Sequence, residues 1–191
     1  MQLAKPFYDV GVFSNQSEAQ LQFWQQRVGL AFDHSLKLGG GVLQHRHNAD
    51  GAVLKLNDAR DPLPTALQSP IDELLIASTK VTAPQLLNDP DGNQVRLVPP
   101  GYRGIRGLAV QLKVQDVARS EQFYSQVLGL QTEQPGLLAC GDTRLLLKAG
   151  ATSADLEAPL AAIGLRYITL QVFDCDATYA NALAAGATSG R

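Results

Sequence analysis

Residues 108–130 read LAVQLKVQDVARSEQFYSQVLGL, and residues 8–30, one hundred positions earlier, read YDVGVFSNQSEAQLQFWQQRVGL. In each stretch an alternating apolar strand runs into a short helix carrying an aromatic pair, Phe23-Trp24 or Phe123-Tyr124, and the helix closes at Gly29-Leu30 or Gly129-Leu130. A repeat this long exceeds a solenoid period and reads as a duplicated supersecondary unit. The aromatic pairs sit at helical spacing among apolar neighbours. They read as anchors packing helix onto sheet rather than as a stacking platform.

Working outward, residues 7–13 form the first strand, and a helix starts near Ser17. Ser17 and Gln20 make an S-x-x-Q capping box, and Leu21, Trp24 and Val28 share one face. Gly39-Gly40-Gly41 divides the next extended region, and its lack of a strand-then-helix context makes it a sheet bend rather than a phosphate loop. Asn48-Ala49-Asp50-Gly51 is a hairpin turn returning into a strand over 53–56, and the Pro-rich stretch 58–69 is a connection. A strand over 73–78 and a strong turn at Asp89-Pro90-Asp91-Gly92-Asn93 lead to a strand over 94–98, then the Pro99-Pro100-Gly101 linker. The second copy opens at 108–114, with Asp116 as helix N-cap, a hairpin near 140–148, a strand over 167–172 and a helix over 176–185 stopped by Gly186.

The 191 residues are 45% hydrophobic and 18% charged, the balance of an ordinary globular protein, with a net charge of −2. Lys and Arg are scattered, which argues against nucleic acid as a partner, and no stretch is long and apolar enough for a membrane span or a signal core. Cys140 and Cys175 lack CxxC spacing and read as reduced thiols of a cytoplasmic protein.

The order of β-α-β-β-β pieces, with Phe-aromatic-x₃-Val/Leu-Gly at the helix end and Asp89-Pro90-Asp91-Gly92-Asn93 before a strand, resembles the vicinal oxygen chelate superfamily. That group includes glyoxalase I, bleomycin-resistance proteins and extradiol dioxygenases. The resemblance implies an α+β fold of paired βαβββ modules forming half-barrels, as two tandem glyoxalase-like domains over 1–100 and 105–191, with the boundary within 98–106. Two departures stand out. The second module has little room for a helix between Ser78 and Asp89, and no second Asp-Pro-Asp-Gly-Asn strand pair follows the last helix. A family barrel uses roughly 30 to 40 further residues there, so the second domain is expected either to be visibly incomplete, with a mobile edge, or to be capped by a partner chain, with a homodimer as the expected remedy.

Members of this superfamily typically hold one divalent metal with His and Glu side chains, as a Lewis acid for enediolate chemistry or, with iron, as a site for oxygen. Registered on the Phe-aromatic pair, the four usual ligand positions fall on Asp9, Lys55, Glu73 and Arg96 in the first half. In the second half they fall on Ala109, Lys148 and Tyr167, with no fourth. Neither set suits a metal, since two cations within a few ångströms repel a divalent ion. The expectation is therefore no metal and no cofactor. Asp9, Lys55, Glu73 and Arg96 are expected to meet in a first cup, where they either form salt bridges or bind an anionic ligand, and Lys148 and Tyr167 to line a second.

His45-Arg46-His47 is the one histidine cluster, and on a strand its two imidazoles share a face, a spacing able to chelate zinc or copper. Beside the 48–51 turn, the expectation is a solvated hairpin with both imidazoles on the face of Leu54, opposite Lys55. His34 reads as a surface residue. Three functions remain open: a metal-independent small-molecule binder, as bleomycin-resistance members are; a lyase or dioxygenase of the glyoxalase or extradiol type; and a non-catalytic assembly module with an unfinished sheet edge.

Overall fold

The computed structural model describes residues 2–65, 69, 71–151 and 159–189. The first module comprises β1 (Leu3–Ser14), α1 (Ser17–Gln22) continued by a π-helical turn (Phe23–Val28), β2 (Ala31–Gly39), β3 (Val42–Ala49) and β4 (Ala52–Ala59). The second is abbreviated to β5 (Ile71–Ala77), β6 (Gln85–Asn88) and β7 (Gln94–Val98), with no helix among its described residues. The third repeats the first: β8 (Leu108–Val114), α2 (Val117–Gln126), β9 (Gln131–Gln134), β10 (Leu137–Cys140) and β11 (Thr143–Ala149). A fourth supplies β12 (Gly164–Val172) and α3 (Cys175–Ala184).

The modules pair crosswise. The first sheet has the order β12-β1-β4-β3-β2, and the second β6-β7-β5-β8-β11-β10-β9. Thus β12, late in the chain, runs antiparallel to β1, and β5 of the first half runs antiparallel to β8 of the second. Each sheet draws strands from both sides of the 98–106 linker, so the sequence halves 1–100 and 105–191 are not the units within which the sheets close.

Alternation along the strands sets the layers. Val10 and Val12 of β1, Leu54 and Leu56 of β4, and Leu74, Ile76, Val95, Val110 and Leu145 of the second sheet form one shared core, with Trp24 inside it. The other face of the second sheet is also apolar at its centre, where Leu75, Val98, Ala109, Leu137 and Leu146 are covered by Ile105 from the linker. The other face of the first sheet is polar, and it carries Asp9, Gln44, Arg46, Lys55 and Asn57.

The start of α1 differs from the capping box. Gln16 is the N-cap and has no side-chain cap bond; its N–H goes instead to Ser14 Oγ at 2.9 Å. Gln20 turns inward, accepting from Trp24 Nε1 at 2.7 Å and donating to Asp91 Oδ2 at 2.7 Å and Asp89 Oδ2 at 3.1 Å. It thereby ties the first helix to the 89–93 turn of the second module. The π turn ends at Gly29, whose φ of 92° lies in the left-handed region, while the carbonyl of Trp24 accepts from both Gly29 and Leu30. The α2 helix follows the expected rule, with Asp116 accepting from Arg119 N at 2.9 Å.

Candidate functional site

Crosswise pairing regroups the candidate residues. Gly11 of β1 stands between Tyr167 of β12 and Lys55 of β4, and Asp9 lies two residues along the same face. Asp9, Lys55 and Tyr167 therefore meet on the polar face of the first sheet. Glu73, Arg96, Ala109 and Lys148 lie on the face of the second sheet turned away from the shared core. The expected meeting of Asp9, Lys55, Glu73 and Arg96 in one cup does not occur, nor does that of Lys148 with Tyr167. The physical reason is that β1 takes β12 as its antiparallel neighbour rather than β5.

On the first sheet, Lys55 Nζ lies 3.0 Å from Asp9 Oδ2, and Arg46 Nη2 approaches the same oxygen at 4.0 Å. Asp9 Oδ1 accepts the N–H of Val53 at 3.1 Å. A chain of hydrogen bonds runs on across this face: Arg46 Nη1 donates to Gln44 Oε1 (3.1 Å), Gln44 Nε2 to Asn57 Oδ1 (2.8 Å), and Asn57 Nδ2 to the Tyr167 hydroxyl (3.1 Å). Lys55 is only 8% exposed and Asn57 is fully buried. The Tyr167 ring lies over Gly11, in space that only a residue without Cβ leaves free. Burial pushes the Tyr167 phenol up, an effect opposed by the Asn57 bond and the nearby Arg46 charge and reinforced by Asp9. Two cations face one carboxylate here, and the buried Arg46 Nε has no hydrogen-bond partner.

On the second sheet, Arg96 Nε pairs with Glu73 Oε1 at 2.7 Å, beside the apolar patch of Leu75 and Ala109. A register shift between Ile71 and Glu73 brings Asp72 onto Lys113 (2.9 Å), Lys148 (3.1 Å) and Gln111 (3.0 Å). Burial raises the Asp72 carboxyl, but these three donors outweigh it and the net direction is down. Arg144 pairs with Glu133 at 2.8 Å. Asp72, like Asp9, thus faces two cations, while Arg96 and Arg144 each pair with one carboxylate.

The donor chemistry does not fit a divalent metal on either sheet. Asp9, Glu73 and Asp72 each already have a Lys or Arg nitrogen within about 3 Å. Among the described residues no group of three or more His, Cys, Asp or Glu side chains could hold a metal ion. The histidine pair departs from expectation in a different way. His45 and His47 do share the face of Leu54 and Leu56, but that face is core, and His47 is 0% exposed beneath the π turn. His47 Nε2 lies 3.2 Å from Gln25 Nε2, and His45 Nδ1 lies 2.8 Å from Ser35 Oγ. His34 is exposed and pairs with Asp33 at 2.9 Å. Cys140 is buried and Cys175 exposed, both as free thiols.

Arg46, Gln44 and Asn57 were missed as site residues, although one signal pointed to Arg46. Once His45 and His47 face Leu54, strand alternation turns Arg46 the other way, opposite Lys55. A cleft of about 800 Å³ lies apart from both ion-pair clusters except at Asp72 and Lys113, and is bordered by Gln16, Asp91, Asn93 and Leu165. Its polar groups are largely spent on one another: Gln16 donates to Asp91 at 2.6 Å, and Asn93 accepts from Leu165 N at 3.2 Å. We therefore place the candidate site at the basin of the first sheet, where a buried donor is left over.

The architecture has clear counterparts among solved structures. Glyoxalase I from Zea mays superposes with a TM-score of 0.70 at 14% identity, over 94% of this chain and 79% of that one. The fold is the vicinal oxygen chelate fold. A putative dioxygenase from Bacillus subtilis matches with a TM-score of 0.63 at 10% identity, over 99% of this chain and 76% of the other. The cppA protein from Streptococcus pneumoniae matches with a TM-score of 0.55 at 9% identity, over 94% and 86%. No protein-family model matches the chain, and no curated protein matches it significantly in sequence. At these identities the vicinal oxygen chelate likeness is one of fold alone. No helix among the described residues is long and apolar enough to cross a membrane.

Proposed function

We propose that the protein is a metal-independent small-molecule-binding protein built on the vicinal oxygen chelate fold, and that Arg46 and Lys55 receive an anionic group of its ligand. The observation that carries this reading is the uncompensated donor of Arg46: its Nε is buried without a partner, while Asp9 is shared with Lys55. A buried unpaired N–H costs about 1–3 kcal/mol. An incoming anion that draws the guanidinium toward the rim supplies the missing acceptor. Tyr167, held by the buried Asn57, lies on the same face and orients the rest of the ligand. The metal-dependent lyase or dioxygenase reading lacks support from the side chains at hand.

Thermal denaturation in the presence of a panel of small organic anions tests the proposal, because a ligand that binds only the folded state raises the transition temperature. Stabilisation that disappears in Arg46→Gln supports it. A panel that leaves the transition unmoved in the wild-type chain overturns it.

Homodimerisation is a second reading, favoured by the outer edge of β12, which has no neighbouring strand among the described residues, and by Phe173, 71% exposed directly after it. Light scattering on the purified chain decides it: a monomer at all concentrations removes this reading.

A further inference from the structure

Independently of the anion-binding reading, we infer that residues 99–107 are a latch. They plug an apolar seat on the second sheet with the side chain of Ile105, and uncover it by local opening while the rest of the chain stays folded. The seat is the second sheet's counterpart of the face that carries Asp9. On the first sheet Asp9 lies beside Thr169, and Gly11 lies between Tyr167 and Lys55. One hundred residues later Ala109 lies beside Leu75, and Gln111 between Glu73 and Leu146. Asp9, Thr169 and Lys55 thus give way to Ala109, Leu75 and Leu146, and the matched surface changes from polar to apolar. Ile105 packs with these three and with Val98 and Leu137, and is 0% exposed.

The segment that delivers Ile105 is built to move as one piece. Residues 101–104 and 106 on either side of it are exposed. Backbone bonds close the turn on itself: Gly101 N–H donates to Ile105 O at 2.7 Å, Gly104 N–H to Gly101 O at 3.0 Å, and Ile105 N–H to Tyr102 O at 2.9 Å. The turn uses left-handed backbone at Gly101 (φ 87°), Arg103 (φ 49°) and Gly104 (φ 73°), the middle one despite its Cβ. Gly104 lies flat against Arg144, where a Cβ would come within 3.2 Å of Nε. At the two ends Ser78 N–H donates to Val98 O and Ala77 N–H to Gly107 O, both at 2.8 Å. These two anchors are adjacent residues at the end of β5, so the preformed turn can swing about them with its own bonds intact. What resists the swing is the burial of Ile105 and of the patch beneath it, which sets the open form at roughly one molecule in 10² to 10⁴.

Thiol labelling of the full chain carrying Ile105→Cys tests this, with the reaction at each cysteine resolved by mass spectrometry. The exposed Cys175 and the buried Cys140 serve as internal standards. The new thiol should react about tenfold or more slower than Cys175, because the latch is mostly shut. It should also react about tenfold or more faster than global unfolding of the same variant allows, at a rate that low urea leaves unchanged. Val98→Cys is the second reporter: it keeps the Ile105 plug and puts the thiol in the seat. It should show the same urea-independent labelling, and it carries the test alone if Ile105→Cys does not fold. A reporter thiol that reacts only as fast as global unfolding, with the full urea slope, would overturn the latch. One that reacts as fast as Cys175 would show that the seat stands open, and would overturn the plug.

Discussion

The hydroxyl of Tyr8 on β1 accepts the backbone N–H of Val110 on β8 at 2.7 Å, joining the first sheet to the second across their common core. The same hydroxyl donates to the carbonyl of Arg144 at 2.5 Å. Desolvation by burial pushes the phenol far up, so it stays protonated and can fill both roles. Tyr8→Phe keeps the ring and strands two buried backbone groups. The expected loss is about 1–3 kcal/mol, read from urea unfolding with an unchanged slope.

Gly11 is the neighbour of Tyr167 across the β1–β12 pair, and a Cβ there would overlap the phenol ring. Gly11→Ala should destabilise the protein by about 1–3 kcal/mol and break the Asn57–Tyr167 hydrogen bond. Replacing Tyr167 with Ala in the same chain should recover part of that loss. A double-mutant cycle measures the coupling, and strict additivity would show that the ring is not the obstacle.

His47 should make the fold sensitive to acid. Burial, helped by the neighbouring His45, lowers its imidazole from 6.5 to about 4. The unfolded chain therefore takes up this proton first as pH falls. Its contribution is complete above pH 6.5 and is lost as pH drops from there toward about 4, with a slope of up to about 1.4 kcal/mol per pH unit. His47→Gln, which cannot titrate, should flatten this part of the stability–pH curve.

Gln20 holds three partners at once: the indole N–H of Trp24 and the carboxylates of Asp89 and Asp91. Gln20→Leu leaves a buried indole donor and two carboxylates short of partners. A loss of about 2–4 kcal/mol is expected, measured by chemical denaturation. The red edge of the Trp24 fluorescence should shift with it.

Much of the architecture was legible because helix and strand periods are local. The Phe-aromatic pairs, the Asp116 cap and the 50–51 turn each depend on a few neighbouring residues. The sequence register put Asp9, Lys55, Glu73 and Arg96 in one cup and Lys148 and Tyr167 in another, whereas Asp9, Lys55 and Tyr167 lie on the first sheet and Glu73, Arg96 and Lys148 on the second. The partners of the strands were not legible. Whether β1 lies beside β5 or β12 is decided by packing, and β12 lies more than a hundred residues from β1 in sequence. Burial of His45 and His47 was missed for a related reason: the residues covering them, such as Gln25, come from the π turn, which is one residue per turn wider than the periodicity expected of a helix.

The crosswise sheets also dictate an order of events during synthesis. β1 is made first, yet its antiparallel neighbour spans 164–172, so the N-terminal strand must wait with one edge open until most of the chain has left the ribosome. β5 likewise waits for β8. A chain interrupted in the 98–106 linker would leave two fragments, one with four strands of the first sheet and three of the second, the other with one and four. Such fragments should be unfolded alone and should gain structure only when mixed.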